Sequence, residues 1–121
     1  QNTYASEPKC SEITGQTIVG TASWYGGKFH GRRTANGEIF NKFAFTAAHK
    51  KIKMGTVVRV TNLENGESVN VRINDRGPYH GKRVLDLSRA AAQEIGIIDT
   101  GTEKVRIDVC APDDSVRYSM R

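Results

Sequence analysis

The sequence predicts a small, mainly β protein: a barrel of about six short strands with one short helix. Three observations carry this. Residues 56–75, "TVVRVTNLENGESVNVRIND", alternate apolar and polar side chains on both sides of Asn65-Gly66, the signature of two paired strands. Further short stretches, 17–26, 42–50, 83–88 and 103–110, read as strands or turns between loops rich in Gly, Asn and Asp. Only "SRAAAQEIG" (88–96) reads as a helix. Many short strands and a single helix make a small closed barrel.

Taken in order, residues 1–16 are polar and unpatterned and are expected to form an N-terminal segment outside the barrel, which spans 17–110. "TIVGTASWYG" (17–26) is a strand that ends in the aromatics Trp24 and Tyr25. "GKFHGRRTANGEIF" (27–40) is a structured loop, and "KFAFTAAHK" (42–50) is a short strand or turn that leads into His49. A type I′ turn at Asn65-Gly66 would set Val60 opposite Val71 and Val58 opposite Ile73. Val58, Val60, Val69, Val71 and Ile73 then share the core face, and Asp75 joins it if the strand runs that far. Arg59, Asn70 and Arg72 face outward. "RVLDLS" (83–88) is a fifth strand. Ser88 caps the helix, and Gly96 lies just past its end. "EKVRIDVC" (103–110) turns Val105, Ile107 and Val109 inward. Residues 111–121 are a polar tail.

The 121 residues are one domain's worth, with 37% hydrophobic residues and a net charge of +5. Basic residues group at Lys28, His30, Arg32 and Arg33, and again at Arg72, Arg76, Lys82 and Arg83. Such a surface suits an anionic partner or a merely solvated protein equally. No apolar run is long enough to span a bilayer. The opening residues carry no hydrophobic export signal, so the chain reads as one from which a targeting peptide has been removed. Glu7-Pro8-Lys9 before Cys10 lack the small and apolar character of a lipoprotein signal, so no lipid anchor is expected. Cys10 and Cys110 bracket the domain and are expected to form a disulfide, and with it to mark an oxidising compartment. Two independent buried thiols are the alternative.

Asp75, in "INDRGPY", is the first candidate for chemistry. An aspartate before a Gly-Pro turn is commonly structural. Shielding from water at a strand end favours a protonated acid, whereas Arg72 and Arg76 nearby favour the carboxylate. Both readings stay open. Glu38 follows the Asn36-Gly37 turn, where a surface glutamate is the plain alternative. For His49 the plain alternative is a neutral histidine that satisfies backbone groups. His30, His49 and His80 show no metal-ligand spacing, so neither a metal site nor a cofactor is expected.

"ASWYGGKFHGRRTANGEIFN", "TAAHK", "VRVTNLENGESVNVRINDRGPY" and "RVLDLSRAAAQEIG" together resemble the rare lipoprotein A family of septal lytic transglycosylases. The resemblance runs from about Gly20 to Val109. It implies a six-stranded double-psi β-barrel, a fold shared with expansins. It implies an enzyme that cuts peptidoglycan glycan strands between N-acetylmuramic acid and N-acetylglucosamine, prefers strands without stem peptides and leaves 1,6-anhydro ends. The motif residues fall on Asp75, Glu38 and His49 as the catalytic group. Tyr25, Trp24, Asn74, Arg76 and Asn36 fall in the substrate groove. Asp75 would give a proton to the glycosidic oxygen and then take one from the C6 hydroxyl. Glu38 and His49 would position substrate or tune Asp75. Asp86, between Leu85 and Leu87, is the reserve carboxylate, expected to be a structural acceptor. The implied partner is the glycan strand and the implied location extracytoplasmic, with no membrane span, and a monomer is expected. Two rival readings remain. One is an expansin-like binder that grips a wall polymer without cutting it. The other is a nucleic-acid-binding barrel, disfavoured by the expected disulfide and by only 7% aromatic residues.

Overall fold

The computed structural model describes residues 6–26 and 29–112. Lys28 of the first basic group and the tail beyond residue 112 lie outside the described residues. Six strands form the molecule: β1 (Ile13–Trp24), β2 (Thr46–Ala48), β3 (Val57–Asn62), β4 (Ser68–Asp75), β5 (Arg83–Leu87) and β6 (Glu103–Cys110). One helix, α1 (Arg89–Glu94), stands between β5 and β6. The strands close in the order β1-β5-β2-β4-β3-β6. β1 and β5 run parallel, as do β2 and β4, and the other pairs are antiparallel. The fold is the expected double-psi β-barrel, and closure leaves no unpaired sheet edge.

The period-two pattern places the core. Val58, Val60, Val71, Ile73, Leu85, Leu87, Val105 and Ile107 are fully buried. α1 lies against β4, β1 and β5 and adds Ala91 and Ala92. Ser88 caps its first turn by accepting from Ala91 N. At its end Ile97 N donates to Ala92 O and Gly96 N to Gln93 O, a Schellman close with Gly96 just past the helix. Gly20 is required by proximity: a Cβ there would meet both Val84 methyls at 2.8 Å, where β1 crosses β5.

Two local expectations are corrected. β1 begins at Ile13, not Thr17, because the earlier residues bulge at Gly15 and still pair with β6 as far as Cys110. The β3–β4 connection is not a two-residue turn. Val58 pairs with Val71 and Val60 with Val69, two residues away from the expected register. A type I′ turn needs positive φ at both central residues, but only Gly66 has it. The link is a five-residue loop, 63–67, in which Gly66 N donates to Asn62 O and Asn62 N to Glu67 O. The reason is tertiary: the Asn62 and Asn65 side-chain amides both donate to Ile95 O, at the helix end. A shift of two keeps every side chain on its face, so the core set is unchanged.

Cys10 and Cys110 are joined by a disulfide across 100 residues of chain. The segment before β1 is also held to β3 and β4. Asn70 N donates to the Glu7 carboxylate, Asn70 Nδ2 to Pro8 O and Arg59 Nη2 to Cys10 O.

Candidate active site

The site is built around the end of β4, and a β-bulge makes it. Along β2, Ala47 pairs with Ile73 but the next residue, Ala48, pairs with Asp75. Asn74 is therefore an extra residue on β4, and the side-chain alternation shifts by one step. Ile73 is in the core, as expected. Asp75 is not on the apolar face, which corrects the simple parity expectation. It shares a row with Ala48, on the other side of the sheet from the core residue Ala47.

Three donors meet on the Asp75 carboxylate. Tyr25 Oη donates to Oδ2 at 2.7 Å. The backbone N–H groups of Ala35 (2.9 Å) and Arg76 (2.8 Å) donate to Oδ1. Tyr25 lies just past the end of β1, where its N–H bonds Leu87 O and its ring packs between Phe29 and Phe40. Burial, and then the Asp75 carboxylate, push the Tyr25 phenol far above its ordinary range, so it stays a proton-bearing donor.

Ala35 belongs to a tight loop that places Glu38. Asn36 Oδ1 accepts from Thr34 Oγ1 and from Glu38 N, and Asn36 N donates to Asn74 O. Asn36 thus shapes the loop from inside. Glu38 receives both arms of the Arg72 guanidinium, at 2.6 and 2.9 Å, and the Asn74 amide at 3.0 Å. The Arg72 bonds above all hold its carboxyl down at about 2. Glu38, charged at neutral pH, therefore ties the loop to the outward face of β4. Arg72 was not singled out as its partner, yet its place on the outward face at the same parity as Asn74 was the available signal. Asn74 is buried, and its Oδ1 has no partner among the described residues.

His49 joins the site through its backbone: its N–H donates to Asp75 O. Its imidazole Nδ1 accepts from Lys51 N and Ile52 N, both at 3.0 Å. Burial first, and then the charges of Arg76, Lys50 and Lys51, hold its pKa below the usual value. It is a neutral ring that fixes the turn after β2. Arg76 braces the same turn, donating from Nη1 to His49 O and Ile52 O. Neither Arg72 nor Arg76 bonds the Asp75 carboxylate through its guanidinium. Trp24, one step before Tyr25, points toward the core and has the Arg89 guanidinium 5.9 Å from its ring centre. It stands apart from the group gathered at Asp75.

Asp86 is closer to the site than its pattern suggested. It pairs with Ser23 on one side and with Ala48 on the other, and Ala48 also pairs with Asp75. Ser23 Oγ donates to Asp86 Oδ1 at 3.0 Å. Burial pushes the Asp86 carboxyl up, against the pull of Ser23 and Arg83, and the charge of Asp75 adds to the rise.

The comparisons with known proteins give the family and the fold. Residues 17–107 match the family model described as "Lytic transglycolase". The chain belongs to this family. The lytic transglycolase relatives include proteins named endolytic peptidoglycan transglycosylase RlpA, in line with the rare lipoprotein A motifs. That of Neisseria meningitidis is 51% identical over 87% of this chain and 44% of its own. That of Pseudomonas aeruginosa is 56% identical over 78% and 28%, and that of Vibrio cholerae 54% over 82% and 38%. The chain thus spans less than half the length of these relatives. Among solved structures, a Streptomyces papain inhibitor superposes with a TM-score of 0.66 at 21% identity, over 83% of this chain and all of that one. A Clavibacter michiganensis expansin superposes with a TM-score of 0.63 at 21% identity, over 81% and 52%. These two share the fold. For the lytic transglycolase chain described here, no group of three His, Cys, Asp or Glu side chains suits a metal among the described residues.

Proposed function

We propose that the protein is an endolytic peptidoglycan lytic transglycosylase with Asp75 at its centre. It cuts the bond between N-acetylmuramic acid and N-acetylglucosamine and closes the muramic end as a 1,6-anhydro sugar. The observation that carries this reading is the Asp75 carboxylate, turned off the core face by the bulge and gripped by Tyr25, Ala35 and Arg76. A group that moves protons must be held in one place relative to the scissile bond. Ordinary glycosidases need a second carboxylate as nucleophile or to activate water. Here the attacking group is the C6 hydroxyl of the same sugar, so no water has to be bound and the effective concentration of nucleophile is high. In the one-carboxylate form of the reaction, Asp75 gives its proton to the glycosidic oxygen and then takes the C6 proton. Glu38 and His49 act as positioning residues: they hold the loop and turn on either side of Asp75. The names of the RlpA relatives support the substrate class. We extend the reading to strands poor in stem peptides, to an extracytoplasmic location and to a monomer. Among the described residues no helix is long and apolar enough to cross a membrane.

The test is Asp75→Asn on purified glycan strands, with anhydro ends measured by mass spectrometry. Asn can still accept from Ala35 and Arg76 through its oxygen, and the Tyr25 hydroxyl can rotate to accept from its amide. The barrel and glycan binding should persist while anhydro ends fall at least about 100-fold, the lower range for loss of a general acid/base. A variant that cuts as well as the parent would remove Asp75 from the chemistry. A parent that binds glycan and never cuts it would favour an expansin-like binder.

A further inference from the structure

The two half-buried carboxyls of Asp75 and Asp86 occupy one row. The pairing sequence Ser23, Asp86, Ala48, Asp75 runs across β1, β5, β2 and β4. Paired residues on neighbouring strands point to the same face. Leu85 and Leu87 on either side of Asp86 are in the core, as is Ala47 beside Ala48. All four residues therefore point away from the core. Two strand spacings, roughly 10 Å, separate the two aspartate backbones. Between them in the row stands Ala48, itself buried, and the Tyr25 phenol reaches Asp75 from the end of β1.

The two carboxyls are bonded differently. Asp75 accepts from three donors, which occupy both of its oxygens. Its oxygens are thereby held as acceptors, in a fixed position. Asp86 accepts from Ser23 alone, on Oδ1. Its Oδ2 has no hydrogen-bond partner among the described residues and is available to carry a proton. Ser23 in turn receives Arg83 Nη1 at 3.0 Å. We propose that Asp86 is the general acid of the reaction and Asp75 its base, an assignment that rests on the transglycosylase reading above and amends one step of it.

The balance is complete without a co-reactant. The bond from C1 of the muramic residue to the leaving oxygen breaks, and that oxygen takes the Asp86 proton. The bond from C1 to the C6 oxygen forms, and the C6 proton passes to Asp75. Asp75 then returns its proton, through solvent, to the Asp86 carboxylate, and both groups are reset. The two transfers act on different oxygens of the substrate, which is why two groups a short distance apart on one face can share them. Burial favours the neutral, proton-bearing form of Asp86, as an acid needs. The groups that face Asp86 are Ser23 on β1, Arg83 on β5 and Asp75 on β4, with Tyr25 beyond β1.

The experiment is the pH profile of kcat for anhydro-end formation in the parent, Asp86→Asn and Arg83→Gln. In Asp86→Asn the Ser23 bond can be kept by the amide oxygen. We expect kcat to fall at least about 100-fold, KM to change little, and the alkaline limb of the profile to vanish from the residual rate. In Arg83→Gln a charge that favours ionised Asp86 is lost, so the acid keeps its proton longer and the alkaline limb moves to higher pH. Asp86→Asn that cuts within about three-fold of the parent, or keeps the limb at a reduced rate, overturns the assignment. So does a limb that stays put in Arg83→Gln, and that variant decides alone if Asp86→Asn does not fold. A parent that forms no anhydro ends overturns the transglycosylase reading itself, and this inference with it.

Discussion

Tyr25 and Asp75, 50 residues apart in the chain, meet through a 2.7 Å hydrogen bond from the phenol to the carboxylate. The bond joins the end of β1 to the end of β4, strands that are not neighbours in the barrel. Tyr25→Phe removes one of three donors and leaves the ring packing on Phe29 and Phe40 in place. A hydrogen bond to a charged group is worth about 1.5–3 kcal/mol. Cleavage should therefore fall about 10- to 100-fold with folding intact, as read by anhydro-end formation beside a thermal melt. Unchanged cleavage would mean that the backbone amides of Ala35 and Arg76 suffice to hold the carboxylate.

The Glu38–Arg72 pair should leave a pH signature in stability. The folded carboxyl sits at about 2 against an ordinary 4.5, so the unfolded chain takes up the proton first as pH falls. The contribution is complete above pH 4.5 and drains away toward pH 2. Both side chains are more than a third exposed, so solvent screens the pair and about 1 kcal/mol is its ceiling. Urea titrations at pH 7 and pH 3 should show Glu38→Gln less stable than the parent at pH 7, with the gap narrower at pH 3. A gap independent of pH would assign the effect to packing.

His49 should behave as a structural acceptor in its side chain. In His49→Ala two backbone N–H groups, of Lys51 and Ile52, lose their partner, a loss of about 1–3 kcal/mol. His49→Asn puts an oxygen near the place of Nδ1 and should recover much of that stability and of the cleavage rate. The native ring is held neutral, so the unfolded chain protonates first as pH drops below 6.5, and the parent should lose stability there. The Asn variant should lack that part of the pH dependence. If Asn restores folding but not cleavage, the imidazole has a second role beyond the turn.

The Cys10–Cys110 disulfide makes a prediction about stability that is independent of the site. Thiol titration of the unfolded, unreduced protein should find no free thiol, and two after reduction. Closure of a loop this long contributes about 4–5 kcal/mol in the chain-entropy model. Reduction should therefore lower the melting temperature markedly. A melt unmoved by reduction would show that the bonds from Asn70 and Arg59 hold the N-terminal segment by themselves.

Much of the fold was legible in the sequence because it depends on local pattern. Period two in Val58, Val60, Val69, Val71 and Ile73 named the core face, and a register shift of two could not disturb it. Ser88 and Gly96 bounded the helix by chemistry confined to a few neighbouring residues. Cys10 and Cys110 stood at the two ends of the pattern. The motifs that resemble the transglycosylases also brought Asp75, Glu38 and Tyr25 forward. What these residues touch was decided by the tertiary structure. The β3–β4 loop left its expected turn because Asn62 and Asn65 bond Ile95 O, some 30 residues on. Asp75 left the apolar face because β2 pairs across a bulge, and a bulge depends on the partner strand. The partners of Glu38 and His49, Arg72 for the one and the amides of Lys51 and Ile52 for the other, were set by the folded chain. Asp86 reads as an ordinary strand residue until β2 is laid between β5 and β4. Periodicity tells which way a side chain points, while its partners are set by strands that the closed barrel brings together from distant parts of the chain.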